Sequence, residues 1–151
     1  MARFSTSGID DIIESMKKLG ELSGEVADEM LLAGAEQVKR AWRRAAEIHK
    51  LKLTGQLIES IGYAKKTKSI GDVKTIDIYP QGASAYTEVD GKRVDRKKPV
   101  RNAEIAFINH YGTSKSPGTH WVDTADALSE QAATDAMAEV WDKFLEKEGY
   151  I

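Results

Sequence analysis

Apolar residues in this chain recur every three or four positions near both ends and every second position in the middle. That switch of period calls for helices flanking strands. From Thr124 to Lys147 the stripe is Ala125, Leu128, Ala132, Ala136, Val140 and Phe144, widened by Met137, Trp141 and Leu145, which predicts a long C-terminal helix. From Gly24 to His49 the apolar positions are Ala27, Met30, Leu31, Gly34, Val38, Ala41, Trp42 and Ala45. Many of these are small, so a partner can approach the backbone closely. A shorter helix is expected over residues 8 to 19, with Ser7 as cap and Ile9, Ile12, Ile13, Met16 and Leu19 along one face.

Between these helices, "LTGQLIESIG" offers Thr54 as the cap of one or two helical turns, with Leu57 and Ile61 sharing a face. Residues 61 to 68 and 73 to 79 read as strands, with Ile76 and Ile78 on one face and "SIGD" as the turn. Asp90-Gly91, set between short β-prone runs, signals a hairpin. Residues 103 to 111 read as a central strand, with Ile105 and Phe107 on one face and Ala106 and Ile108 on the other. The expected fold is α+β: a small antiparallel β-sheet with a basic hairpin excursion, packed against two N-terminal helices and one long C-terminal helix. The 151 residues fit a single domain. It comprises a helical part over 8–50, a short helix plus sheet over 54–111 and a C-terminal helix over 122–148.

Composition narrows the function. A hydrophobic content of 41%, a charged content of 30% and a formal net charge of −2 describe a soluble globular chain with no global pull toward nucleic acid or anionic lipid. The absence of cysteine removes disulfides, thiolate nucleophiles and thiolate zinc sites, and suits assembly in a reducing cytosol. "MARFSTSGIDD" lacks the apolar core of a signal peptide, and "MLLAGA" is too short to cross a bilayer, so no membrane partner is expected.

Three groups invite a functional reading. Lys39, Arg40, Arg43 and Arg44 surround Trp42, as a nucleic-acid face would. Acids at the start of the same helix (Glu25, Asp28, Glu29) make the basic end a complement to the helix dipole instead. His110 and His120 flank a loop but lack the spacing of helix-borne metal sites. No nucleophile elbow, phosphate loop or dinucleotide fingerprint occurs. The expectation is therefore no enzyme, no cofactor and no metal. The local charge anomaly is "GKRVDRKKPVR", with Lys92, Arg93, Arg96, Lys97, Lys98 and Arg101 against Asp95 alone. It reads as an arm toward an acidic protein neighbour or a DNA backbone, protein being favoured.

"TGQLIESI" followed by "RNAEIAFINHYGTS", a proline-bearing loop and a long helix resembles the head–tail joining or tail-completion (neck) proteins of long-tailed bacteriophages and prophages. Thr54, Gly55, Leu57, Ser60 and Ile61 fit the first family motif; Ala103, Ile105, Phe107, Tyr111, Gly112 and Thr113 fit the second. Trp121 stands where an aromatic commonly follows the loop, and His110 replaces the glutamate that often precedes Tyr-Gly. The resemblance spans about residues 50 to 145. It implies a non-enzymatic virion protein, assembled in the host cytoplasm into a ring of six subunits at the head–tail junction. Its neighbours would be a connector or adaptor and a tail-tube or tail-terminator protein, with DNA passing through the centre and touched non-specifically. A ring needs two different complementary surfaces per subunit, and the sheet region with the 81–101 excursion is the candidate for one. Two alternatives are a nucleic-acid-binding module using the 39–44 helix face and the 92–101 arm, and a metal-dependent hydrolase using His110 and His120.

Overall fold

The computed structural model describes residues 6–51, 55–71 and 73–151. Two long helices run antiparallel, α1 (Thr6–Ile48) and α4 (Trp121–Lys147). Their alignment is pinned at three levels: Lys18 with Glu148 at 3.6 Å, Gly34 against Met137, and His49 Nε2 within 2.7 Å of Thr124 Oγ1. The small residues read from the sequence explain the close packing. A Cβ at Gly34 would lie 3.0 Å from Met137 Sδ, and Ala35, Ala41, Ala45 and Ala46 are all buried.

The expected pair of N-terminal helices is one continuous helix. Gly20 and Gly24 each cost about 1 kcal/mol against alanine in a helix interior. That penalty does not interrupt the backbone hydrogen-bond ladder, which runs through both. Ser7 lies inside α1 and does not precede it. The expected Ile9–Leu19 face falls outside the described side chains.

The middle of the chain forms narrow two-stranded antiparallel ribbons and not one sheet. After the single helical turn α2 (Gln56–Ser60), β1 (Ile61–Tyr63) pairs with β4 (Ile78–Pro80). Nested between them, β2 (Lys68–Ile70) pairs with β3 (Val73–Thr75), with Gly71 of the expected "SIGD" turn at φ 61° between them and Asp72 outside the described residues. The two expected strands are thus each broken in two. Then β5 (Ala83–Val89) and β6 (Lys92–Arg101) form the hairpin. Val89 faces Lys92 across Asp90 and Gly91, whose φ values of 50° and 74° give the left-handed two-residue turn that the Asp-Gly pair signals.

Residues 103 to 111, expected as a central strand, are the helix α3 (Asn102–Tyr111). The apolar run fits either period, and polar residues decide it. Asn102, Ile105, Ala106, Asn109 and His110 recur at helical spacing and form the inward face. Phe107 and Ile108, expected inside, are 62% and 43% exposed, and Tyr111 is 62% exposed beside them. Asn102 secures the start of α3: its backbone N–H donates to Gly82 O at 2.9 Å and its side-chain amide to Gln81 O at 2.8 Å, while Ser84 Oγ donates to its Oδ1. A short ribbon, β7 (Gly112–Thr113) with β8 (Ser116–Pro117), leads into α4.

Candidate functional site

The two segments quoted above, with Trp121, meet at the end of the molecule where α1 finishes and α4 begins. Leu57, Ile58 and Ile61 pack with Ala45, Ala46, Ala106, Trp121 and Ala125 in one buried cluster. Trp121 is fully buried, its ring edge-on to Trp42 with centroids 5.4 Å apart, and its Nε1 donates to Ala106 O at 3.2 Å. The indole, itself on α4, therefore touches α1 and α3, and α2 joins them through the same buried cluster. Ser60 Oγ donates to Leu57 O at 2.7 Å, satisfying a carbonyl at the end of α2. The cap position of α2 is Gly55, with φ 78°; Thr54, the expected cap, lies outside the described residues. Thr113 Oγ1 accepts the backbone N–H of Lys115 at 3.2 Å.

The loop after α3 is fixed by backbone contacts. Gly112 ends α3 with φ 83°. A Cβ at Gly112 would strike the backbone at Ser116–Gly118, and one at Gly118 would strike the carbonyl of His110. Thr119 closes the turn, its backbone N–H and Oγ1 both donating to Asn109 O at 2.9 and 2.8 Å. Both glycines are thus required by close backbone approach.

His110 and His120 do come together, with ring centroids 5.1 Å apart, and their donor atoms lie within 4.8 Å of each other and of an Asp123 carboxylate oxygen. The hydrogen bonding opposes a cation there. His110 Nδ1 accepts the backbone N–H of Val122 at 3.3 Å, which places the neutral ring's proton on Nε2 and leaves no lone pair for a metal. The cluster also sits at the start of α4, the positive end of its dipole.

The basic helix residues are engaged within the chain. Lys39 and Arg40 reach Glu36 at 2.8 and 3.3 Å, and Arg44 reaches Glu47 at 3.7 Å. Arg43 donates to the carbonyls of Glu59 and Ile61 at 3.2 and 3.0 Å, clamping the exit of α2 to α1. Nothing local in the sequence announces that role; the partners lie 16 and 18 residues away. Across the β2–β3 ribbon, Thr67 and Lys74 donate to Asp28 Oδ1 at 2.6 and 2.9 Å. These bonds, Thr67 first, hold the Asp28 carboxyl below its ordinary range. Glu36 is likewise lowered, chiefly by Lys39 and then by the Tyr63 hydroxyl at 2.9 Å.

The β5–β6 hairpin contrasts with this. Arg93 pairs with Asp95 in its own strand at 2.8 Å and lies over the Tyr86 ring at 4.1 Å. Lys92, Lys97, Lys98 and Arg101 are exposed and make no ion pair among the described residues. Arg96 is half-buried beside Lys50, Tyr86 and Asn109. Between the pairs Ser84–Val100 and Tyr86–Asp95 the register shifts, so residues 96–99 stand opposite Ala85 alone and Lys97 and Lys98 are displaced from the ladder. The second unsatisfied surface is the outer face of α3, where the Phe107 and Tyr111 rings meet at 4.6 Å and a 50° tilt beside Tyr79 over a shallow apolar hollow of about 250 Å³. Both surfaces suit protein contact. No protein-family model, curated protein or solved structure matches the chain.

Proposed function

We propose that this chain is a structural virion protein of a tailed phage or prophage, forming a ring at the head–tail junction that joins the connector to the tail tube and lets DNA pass. The observation that carries the reading is the joint around Trp121. Leu57, Ile61, Gly112 and Trp121, four of the residues on which the resemblance to neck proteins rests, are there spent on shape, in a buried cluster and a glycine-closed loop beside a clamped helix exit. The chain's unsatisfied surfaces lie on the hairpin and on the outer face of α3, which carries the motif residues Phe107 and Tyr111. A subunit with two unlike surfaces is what a cyclic, head-to-tail ring needs.

The nucleic-acid alternative rests on the 39–44 helix face and the 92–101 arm. Lys39, Arg40, Arg43 and Arg44 each have a partner inside the chain, which weighs against the first half of that surface, while Arg40 and Arg44 stay 67% and 68% exposed. The arm remains, and with it non-specific contact to DNA in a channel. Native mass spectrometry and negative-stain electron microscopy of purified protein, alone and with the connector complex, test the reading. A closed ring of six that docks on the connector is expected. A persistent monomer that binds duplex DNA with a steep salt dependence would instead favour the nucleic-acid module.

A further inference from the structure

We infer that the basic β5–β6 hairpin of one copy lies along the outer face of α4 of the next copy, and that this contact closes the ring. The inference rests on the ring reading above and names the surface that receives the hairpin, which is a face of α4 and not the outer face of α3. α4 buries one side against α1 and turns another wholly to solvent. Leu128, Ala132, Asp135, Glu139, Asp142 and Glu146 follow one another at intervals of four and three residues, which places them on one face, and every one is exposed. Helices normally bury a stripe of that spacing; here its C-terminal half is acidic. Two neighbouring contacts stay within the helix, Lys143 with Glu139 at 2.6 Å and Gln131 with Asp135 at 2.7 Å.

The hairpin is complementary in charge, length and apolar content. Its cations cluster at the tip (Lys92, Arg93) and at the displaced segment (Lys97, Lys98). From Arg93 to Lys98 an extended strand covers about 16 Å, somewhat less with the register shift. From Asp135 to Glu146 a helix rises about 16 Å as well. Val89 and Val94 are 53% and 45% exposed on the hairpin, and Leu128 is 45% exposed at the head of the α4 stripe, so apolar contacts can accompany the ion pairs.

A subunit is poorly placed to satisfy itself. The hairpin is rooted at the end of the molecule where α1 finishes, beside Lys50, Leu51 and Leu57. The acidic half of α4 lies toward the opposite end, where Met137 meets Gly34 and Glu148 meets Lys18. Two unlike surfaces rooted at opposite ends produce a heterologous contact, which repeats around a ring.

The test is a charge swap. One variant carries Lys92→Glu, Arg93→Glu, Lys97→Glu and Lys98→Glu; the other carries Glu139→Lys, Asp142→Lys and Glu146→Lys. All seven side chains are solvent-facing, and circular dichroism verifies that each variant folds. Sedimentation velocity and native mass spectrometry at low salt then read association. Each variant alone should associate at least about ten-fold more weakly than wild type, because like charges now face each other. An equimolar mixture should regain assembly with the two chains alternating, since each hairpin again meets an opposite charge. Rings that survive both reversals, or a mixture that fails to recover, would overturn the pairing and leave the ring reading standing. Wild type that stays monomeric at high concentration would overturn it too, and the neck reading would then be judged separately by head–tail joining. A hairpin reversal that abolishes duplex-DNA binding but leaves subunit association unchanged would overturn it in favour of phosphate contact.

Discussion

Replacing Trp121 by alanine should remove about a fifth or more of the chain's folding stability. The indole is fully buried, touches α1 through Trp42 at 5.4 Å and α3 through the Ala106 carbonyl at 3.2 Å, and begins α4. Emptying a buried tryptophan site costs about 3–5 kcal/mol. The edge-to-face ring contact, about 0.5–1.5 kcal/mol, and the hydrogen bond, about 1 kcal/mol, fall largely within that range and do not add to it, because the groups share one cavity. Domains of this size are stable by about 5–15 kcal/mol, so the loss is severe but measurable. Trp121→Phe, which keeps most of the ring volume, should cost about 1–2 kcal/mol, mainly the hydrogen bond and the residual gap. Urea denaturation followed by far-ultraviolet circular dichroism gives both values. A double cycle with Trp42→Leu should give a coupling of about 0.5–1.5 kcal/mol. An alanine variant destabilised by less than about 1 kcal/mol would refute the argument that this side chain joins α1, α3 and α4.

Leu57→Ala should cost about 2–5 kcal/mol in the same assay without changing any partner contact, since Leu57 is 6% exposed within the joint; undisturbed stability with lost assembly would make it an interface residue. Acid should weaken the ties of α1 to the β2–β3 ribbon, made by Asp28, and to β1, made by Glu36. Asp28 and Glu36 have lowered folded-state pKa values, so their contribution is present above the unfolded carboxylate range and is lost as pH falls through the folded values. A Lys74→Met variant should show a shallower loss of stability on acidification, and a profile parallel to wild type would refute it. Replacing His110 and His120 together by Gln should leave folding and ring assembly largely intact; elemental analysis showing a metal bound to wild type and lost from this variant would reverse the structural reading.

What could be read from the sequence divides along physical lines. The C-terminal helix and the Asp90-Gly91 turn were legible because a long periodic stripe and a two-residue turn with left-handed dihedrals each depend only on near neighbours. The identity of α3 was not. Its apolar residues suit period two, while the side chains that reveal its inner face are polar: Asn102 and His110 find their partners at Gln81 and Val122, outside the helix, and Asn109 bonds Ile105 only once the helix has formed. Continuity of α1 through Gly20 and Gly24 was also hidden, because α4, more than 90 residues away in sequence, supplies the packing that outweighs two local penalties. The clamp by Arg43 belongs to the same class. Charge was informative at both places. The cations of α1 read as a complement to the helix dipole and find partners within the chain, whereas those of the hairpin read as an arm and are exposed.

The central claim is that this chain completes the joint between head and tail, and in vitro complementation tests it most directly. Host cells infected by the encoding phage with this gene deleted should yield DNA-filled heads and separate finished tails. Adding purified protein to that lysate should join them into infectious particles, counted by plaque assay and seen by electron microscopy, with a collar of density at the junction. Joined, infectious particles formed at wild-type yield without the protein would contradict the account.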